Sequence, residues 1–320
     1  MPRAVVTGGA GFLGSHLCDG LLDRGYEVVA VDNLLTGRRT NLVTLEGRPG
    51  FTFLEHDVID GIPVDGPVDA VLHFAALSIV PESVVDPERY FRANVVGTLN
   101  LLEAMTAHGT ARIVFSSTAA VYGEPDSVPI DEDAPTRPTS PYGASKLAVD
   151  HLLTGWATAR SGGAVSLRYF NVAGAAHGLG EHHDPETHLI PIVLEAAAGS
   201  RPHVLIHGTD YPTPDGTAIR DYIHVADLAV AHVLAIDATA TPGHRIYNLG
   251  NGEGFSVREV IAAAERVTGR TIPVVEGPRR DGDPVRLVAS SERIRRELGW
   301  RPQHTDVEAM IAAAWAHRDA

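Results

Sequence analysis

A short apolar run, a set of glycines and a helical pattern of leucines open the chain in that order. The apolar run covers residues 4–6, Gly8, Gly11 and Gly14 follow it, and leucines then recur at helical spacing over 17–22. This order predicts a strand, a tight turn and a helix. Glycines in such a turn let the backbone approach a pyrophosphate, whose charge the free N–H groups of the helix N-terminus stabilise. The stretch therefore indicates a dinucleotide site.

A carboxylate at the end of the second predicted strand supports the same interpretation. Residues 27–31 form an apolar run that ends in Asp32, 18 residues after Gly14. An acid at about this distance accepts hydrogen bonds from adenosine ribose hydroxyls. Arg38 and Arg39 follow and suit a 2′-phosphate, but the Asp32 charge would repel that phosphate. The pattern thus favours NAD over NADP.

Apolar strands alternate with helices along the first half of the chain. The predicted elements are strands at 51–54, 70–74, 112–115 and 165–170, a helix at 87–108 and a helix from near Ser140. Apolar runs separated by helices are typical of a parallel sheet covered on both faces. The predicted fold class is therefore α/β, a doubly wound parallel (Rossmann) sheet with a smaller mixed α/β unit, and ligands are expected at the carboxyl ends of the strands.

The composition changes after residue 171, where glycine, histidine and proline become frequent. Since 320 residues exceed the usual size of a single core, we predict two units. Residues 1–171 plus about 221–243 would bind the dinucleotide, and about 172–220 plus 244–320 would bind the substrate. Elements predicted in the second half are strands at 204–207, 246–249 and 273–275, and helices near 192–198, 228–236, 256–268, 290–298 and 305–318.

Charge and cysteine content exclude several classes of partner. The formal net charge of −14 argues against nucleic-acid binding and against an anionic membrane surface. The single cysteine, Cys18, excludes an intrachain disulfide and fits a reducing compartment. We also find no basic and apolar leader and no apolar run of membrane-span length, so we expect a cytoplasmic protein.

Tyr142 and Lys146 lie four residues apart in the helix that begins near Ser140, so their side chains share one face. A free tyrosine has a pKa of about 10, too high for a base at neutral pH. A neighbouring ammonium and a positively charged nicotinamide both favour the phenolate and would lower that pKa. Thr118 follows a strand end and can direct its hydroxyl to the same point. This spacing alone also fits an exposed pair, but behind a dinucleotide fold it favours acid/base chemistry.

Motifs that run nearly end to end carry a resemblance to a known family. They include VTGGAGFLGSHL, FSSTAAVYG, PTSPYGASKLAVD, LRYFNVAGA and YPTPDGTAIRDYIHVADLA. The chain resembles the extended short-chain dehydrogenase/reductases, and the last block is the most specific to the branch that inverts C4 of a UDP-hexose. The resemblance implies tightly bound NAD, a 4-keto sugar intermediate, and a homodimer that packs through helices near 90–108 and 143–160.

The resemblance also implies a role for individual residues. The catalytic set is Tyr142 as acid/base, Lys146 and Thr118. The cofactor set is Gly8, Gly11, Phe12, Leu13, Asp32, Asn33, Asp57, Val58, Phe74, Ala75, Ala76, Asn94, Ser116, Tyr142, Lys146, Tyr169 and Phe170. The set expected to bind the UDP-sugar is Thr118, Tyr142, Asn171, His188, Leu189, Leu205, His207, Arg220, Arg280 and Asp283. We expect no metal, because the chemistry needs none and His177, His182, His183 and His188 show no diagnostic ligand spacing.

Other activities on the same scaffold stay open. A UDP-glucuronate or UDP-N-acetylglucosamine 4-epimerase is possible because the sugar pocket is poorly specified by sequence. The resemblance places Leu287 where the size of the sugar 2-substituent is limited. A sugar-nucleotide dehydratase or decarboxylase is disfavoured, since Ala119 and Ala120 follow Thr118 where a dehydratase has an acid pair. A non-catalytic NAD sensor need not keep Tyr142 and Lys146.

Overall fold

The computed structural model describes residues 1–64, 66–181, 185–280 and 282–318. The described strands are β1 (Arg3–Thr7), β2 (Glu27–Asp32), β3 (Phe51–Glu55), β4 (Ala70–His73), β5 (Arg112–Thr118), β6 (Gly163–Tyr169), β7 (Asn171–Ala173), β8 (Val204–His207), β9 (Ile219–His224), β10 (Gly243–Leu249), β11 (Gly254–Ser256), β12 (Val274–Gly277) and β13 (Arg286–Leu287). The described α-helices are α1 (Phe12–Asp23), α2 (Val80–Val85), α3 (Pro87–Phe91), α4 (Gly97–Ala107), α5 (Pro141–Arg160), α6 (Leu189–Ala198), α7 (Val225–Ala238), α8 (Val257–Thr268), α9 (Glu292–Leu298) and α10 (Val307–Ala316). No described helix combines the length and the apolar character that a membrane crossing needs.

The main sheet has seven strands in the order β10-β6-β5-β4-β1-β2-β3. Every pairing in it is parallel, for example Val5 beside Val29 on one side and beside Val71 on the other. The direction of winding reverses at β1, between β2 and β4, and such a reversal opens a crevice at the carboxyl ends of the strands. The predicted α/β fold class, a doubly wound parallel sheet, is confirmed.

Two apolar cores cover the two faces of this sheet. Val6 belongs to the core under α1 and α7, and its neighbour Val5 belongs to the core under α4 and α5. This alternation follows from the period of two of a strand, and here both faces are apolar because helices cover both. Leu21 and Leu101, both fully buried, lie in opposite cores.

The smaller sheets belong to the second half of the chain. One sheet has the order β11-β9-β13, with β7 paired to β9, and β12 pairs with β8 in another. The strand β9, which the sequence assigned mainly to the first unit, thus joins the smaller sheet, and β10 pairs with β6 in the main sheet. Local patterns do not specify which sheet a strand joins, because long-range backbone pairing decides that. The division into two units stays a prediction, with these two strands exchanged.

Two predicted helices are observed with informative detail. The helix predicted at 87–108 is continuous but contains a π-helical stretch, Arg92–Val96, between α3 and α4. Such stretches are rare and occur mostly at functional sites. The helix α5 starts where Ser140 predicted, because the Ser140 hydroxyl accepts a hydrogen bond from the backbone N–H of Gly143 at 3.1 Å.

We expect the free energy of unfolding to fall as the pH drops from 6.5 toward 4. Burial lowers the pKa of His73 to about 3 and that of His232 to about 4. The unfolded chain therefore binds protons in this range that the folded chain does not, which costs about 1.4 kcal/mol per pH unit for each such proton. Urea unfolding between pH 7.5 and 4.5 measures the slope.

A matched variant assigns part of that slope. The His73 ring forms hydrogen bonds with the hydroxyls of Thr7 at 2.6 Å and Thr98 at 2.9 Å. His73→Gln should be less stable at pH 7.5 but should show a smaller loss on acidification. An unchanged slope in this variant would contradict the assignment to His73.

Candidate active site

A cavity of about 580 Å³ opens at the carboxyl ends of the main-sheet strands. Its walls include the segments that follow β1, β2, β3, β4, β5 and β6, which is where an open parallel sheet presents its ligand crevice. The expected residues that line it are Gly8, Gly11, Phe12, Leu13, Asp32, Asn33, Asp57, Val58, Phe74, Ala75, Ala76, Ser116, Thr118, Tyr142, Lys146, Tyr169, Phe170, Asn171, His188 and Leu287.

The glycine turn is packed so closely that no side chain fits inside it. A Cβ on Gly14 would lie 2.1 Å from the carbonyl oxygen of Gly8, and a Cβ on Gly8 would lie 2.7 Å from the backbone nitrogen of Ala75. Gly8 also has φ +70, which side-chain residues rarely adopt. Gly11 caps α1 without a side chain, so the first N–H groups of the helix face the cavity. This cradle fits a pyrophosphate.

Asp32 and Asp57 form the acidic end of the cavity. The Asp32 carboxylate accepts hydrogen bonds from the N–H groups of Ala10 at 3.0 Å and Leu34 at 2.8 Å, and burial raises its pKa. The Asn33 amide donates to Asp57 at 2.8 Å. These contacts hold the carboxylate of Asp32 at the tip of β2, where ribose hydroxyls would meet it.

Tyr142, Thr118 and Lys146 converge at the other end of the cavity. The Thr118 hydroxyl lies near enough to that of Tyr142 to interact with it. The Lys146 ammonium donates to the carbonyl oxygen of Ser116 at 2.8 Å and lies 4.7 Å from the centre of the Phe115 ring. The end of β5 and the first turns of α5 therefore position all three groups.

The pKa values of Tyr142 and Lys146 differ from those that the sequence predicted. Burial raises the pKa of Tyr142, and the interaction with the Thr118 hydroxyl lowers it without reversing that effect. Burial also lowers the pKa of Lys146 to about 7, which Asp150 partly opposes. The expected lowering of the Tyr142 pKa by Lys146 is therefore not seen in the chain alone. Because burial lowers the pKa of Lys146 to about 7, part of this amine is neutral near pH 7 and does not favour the phenolate.

A buried ion pair lies behind Lys146 and was not foreseen from the sequence. Asp150, one turn further along α5, pairs with Arg168 at 2.8 Å, and both side chains are almost fully buried. Arg168 also donates to the Tyr122 hydroxyl at 3.1 Å. The spacing of Lys146 and Asp150 on one helix face could have indicated that Asp150 lies near Lys146. The sequence does not show that Arg168 on β6 is the partner of Asp150.

One expected cofactor residue does not line the cavity, which corrects its predicted place. Asn94 is 2% exposed, accepts from the N–H of Leu77 at 2.8 Å, and donates to the carbonyl of Leu77 and the hydroxyl of Ser145. The hydrogen bonds of the Asn94 amide therefore link the loop after β4 to α5. Ser116 does line the cavity, and its hydroxyl contacts that of Tyr169.

The expected substrate residues fall into two groups. Asn171 and His188 line the cavity, whereas the others lie beyond it: Leu189, Leu205, His207, Arg220, Arg280 and Asp283. Within the second group Arg220 forms an ion pair with Asp283. Burial and the Arg280 charge lower the pKa of His207, and Asp283 opposes them. These charged side chains therefore form one cluster beside the cavity.

The two described histidines of the loop after β7, His177 and His188, have different partners. His177 pairs with Asp19 at 2.8 Å, while His188 lies between Glu181 at 3.0 Å and Glu186 at 3.1 Å. Burial lowers the pKa of His188, but the two carboxylates outweigh burial and raise it above its ordinary value. His182 and His183 lie outside the described residues. Donor atoms of Glu181, Glu186 and His188 lie within 4.8 Å of one another, a spacing that exposed acidic groups also show without a metal.

Comparison with known proteins identifies the family. The model of the NAD dependent epimerase/dehydratase family matches residues 4–250. The chain belongs to this family. It is similar to the UDP-glucose 4-epimerase of Streptomyces lividans, with 54% identity over 98% of this chain and 95% of the relative. The corresponding values for the UDP-glucose 4-epimerase of Corynebacterium glutamicum are 50%, 99% and 96%.

A solved structure of a family member shows the same fold. The UDP-glucose 4-epimerase from Bifidobacterium longum, in complex with NAD⁺ and UDP, is 39% identical and has a TM-score of 0.92. The alignment covers 99% of this chain and 98% of that chain. The resemblance inferred from the motifs is thereby confirmed at the level of the family.

Lys146 is the only lysine in the chain, which allows a direct test of its ionisation. We expect a pKa of about 7 for this amine in the nucleotide-free protein. Protein labelled with ¹³C at the lysine Cε should give one side-chain signal, and its chemical shift reports the titration. The same sample unfolded in urea is the control and should titrate near the free value of about 10.4. A midpoint near that value in the folded protein would contradict the burial argument.

Proposed function

We propose that the chain interconverts UDP-glucose and UDP-galactose by inversion of the hexose C4, with tightly bound NAD. The observation that carries this proposal is the cavity that runs from the glycine turn to Tyr142, with Thr118 and Lys146 at the same end. The names of the relatives, which are about 50% identical over nearly the whole chain, support the same reaction.

The residues of the cavity suit the cofactor. The turn at Gly8 and Gly11 would hold the pyrophosphate, Asp32 would hold the adenosine ribose, and Ser116, Tyr169 and their neighbours would surround the nicotinamide. When bound, NAD supplies a hydride acceptor and then a hydride donor at the sugar C4. Lys146 would bind the nicotinamide ribose, since it is placed beside Ser116.

Tyr142 is the acid/base of this proposal. Its hydroxyl takes the proton from the sugar 4-hydroxyl as C4 is oxidised, and it returns the proton when C4 is reduced from the opposite face. Thr118, whose hydroxyl interacts with that of Tyr142, would pass or share that proton. Burial keeps the phenol protonated in the chain alone, so the positive charge of an oxidised nicotinamide beside it would favour the phenolate.

The substrate anchor must be the UDP moiety. A 4-keto sugar has to turn over between the two hydride transfers, so a pocket that gripped one epimer by many hydrogen bonds would oppose the reaction. The cluster of His207, Arg220, Arg280 and Asp283 supports binding of the nucleotide, because an arginine fork suits a diphosphate. The Arg220–Asp283 pair would have to open or share its charge with that group.

A homodimer and a cytoplasmic location complete the proposal. The helices α2, α3 and α4 carry exposed apolar side chains, including Val85 at 85%, Val84 at 63% and Leu99 at 41%. Such a patch on one face supports a protein interface, and α5 lies directly beside it. The buried thiol of Cys18 is compatible with a reducing cytoplasm.

Tyr142→Phe should abolish the interconversion of UDP-galactose and UDP-glucose, with a loss of about 10²–10⁴-fold or more, because the acid/base is removed. Nucleotide bound to the purified variant should match that of the unaltered protein. Tyr26→Phe, a change far from the cavity, is the matched control. Substantial turnover by Tyr142→Phe would remove Tyr142 from the mechanism.

The same assay distinguishes the related activities. Incubation with UDP-galactose, UDP-N-acetylgalactosamine and UDP-glucuronate separately, with identification of the products, gives the sugar specificity. Conversion of UDP-glucuronate alone would move the assignment to the glucuronate epimerases.

Val96→Asp combined with Leu99→Asp should convert the dimer to a monomer, because two charges would be buried without partners at the interface. Light scattering during size-exclusion chromatography measures the mass. Val43→Asp, at a residue that is 64% exposed and lies outside α2, α3 and α4, is the control and should stay dimeric. Equal masses for all variants would exclude this face as the interface.

A further inference from the structure

The charges that line the cavity do not balance a dinucleotide by themselves. The described lining residues with a carboxylate are Asp32, Asp57 and Glu181. A pyrophosphate brings further negative charge to a cavity whose adenosine end is already acidic. The N-terminus of α1 offers only a partial positive charge, equivalent to about half an elementary charge. Binding of the cofactor would therefore gain from a cation near the glycine turn.

Two of the lining cations already have partners. Lys146 is 3% exposed and donates to the carbonyl of Ser116 at 2.8 Å. Arg89 forms an ion pair with Glu82, a carboxylate that also accepts from the Tyr90 hydroxyl at 2.7 Å. Arg89 would have to give up its ion pair to bind a second anion, and Lys146 lies beside Ser116 at the Tyr142 end of the cavity.

Arg92 is the remaining lysine or arginine among the described residues of the cavity wall. It is exposed, and it makes no side-chain hydrogen bond or ion pair with any residue in the described ranges. A guanidinium on a cavity wall, without a carboxylate partner among the described residues, is free to bind an anionic ligand. Its planar fork matches two phosphate oxygens.

The structure ties Arg92 to the glycine turn through two contacts. Arg92 begins the π-helical stretch that also contains Asn94, and the Asn94 amide holds both the N–H and the carbonyl of Leu77. Leu77 belongs to the loop after β4, in which Ala75 packs against Gly8 so closely that a Cβ there would lie 2.7 Å away. The segment that carries Arg92 is thus fixed to the same loop that packs on the glycine turn.

We propose that Arg92 binds the pyrophosphate of the dinucleotide opposite the N-terminus of α1. This inference rests on the proposed use of NAD. It adds a full positive charge beside the pyrophosphate, which neither the glycine turn nor Asp32 provides. The π-helical stretch gives the position its orientation, since the change of helical period at Arg92–Val96 turns the side chains relative to a regular α-helix.

Release of NAD from the purified holoenzyme tests the inference. Arg92→Gln should release NAD about tenfold faster or more, as expected for a lost charge-assisted hydrogen bond. Raising the salt concentration should speed release from the unaltered protein more than from the variant, because salt screens a charge that the variant lacks. Arg24→Gln, at an exposed arginine outside the cavity, is the matched control and should behave like the unaltered protein.

A second substitution separates charge from structure. Ser78 lies on the same cavity wall and is exposed, so Ser78→Lys in the Arg92→Gln background restores a positive charge nearby. Slower NAD release in the double variant supports the inference. Unchanged release in Arg92→Gln, or faster release that neither salt nor Ser78→Lys affects, would overturn it.

The test is independent of turnover. If the protein failed to epimerise UDP-galactose but its NAD release depended on Arg92 as described, the proposed reaction would fail and the role of Arg92 would stand. Circular dichroism of each variant confirms that the fold is kept.

Discussion

The close approach of backbone to backbone at the glycine turn is the constraint on which the rest of the site depends. Gly14 packs on the carbonyl of Gly8, and Gly8 packs on Ala75, at distances that exclude any Cβ. This contact fixes the start of α1 against the loop after β4. It therefore sets both the anion-binding end of the helix and the loop to which Asn94, in the stretch that carries Arg92, is hydrogen-bonded. A larger side chain at either glycine would displace all of these groups together.

At the other end of the cavity, the main energetic cost is the burial of a positive charge. The ammonium of Lys146 is removed from water, and it is stabilised by a carbonyl oxygen, an aromatic face and the nearby Asp150. Asp150 is paired with Arg168, so the protonated Lys146 adds one positive charge that no second carboxylate among the described residues of this cluster balances. Such an arrangement leaves Tyr142 protonated until substrate and cofactor change its surroundings. This suits a residue that must both take and return a proton.

The sequence predicted most of the fold because the decisive signals are local. The turn around Gly8, the apolar strands and the cap at Ser140 each act within a few residues, and all were confirmed. Errors arose where distant segments decide the outcome. The strand β10 pairs with β6 and β9 with a smaller sheet, which no local pattern specifies. Asn94 was expected on the cavity wall, but its amide is satisfied by Leu77 and Ser145 behind that wall.

By itself the sequence determined the fold class, the family and the spacing of Tyr142 and Lys146, because these depend on residue type and on the period of strands and helices. Only the tertiary structure decided the ionisation of those two side chains, since a pKa depends on burial and on neighbours that come from other elements. It also decided that the Arg168 partner of Asp150 lies beside Lys146 and that Arg92 faces the cavity. Such contacts join segments that are far apart in the chain, and a single sequence does not specify how close those segments lie in space.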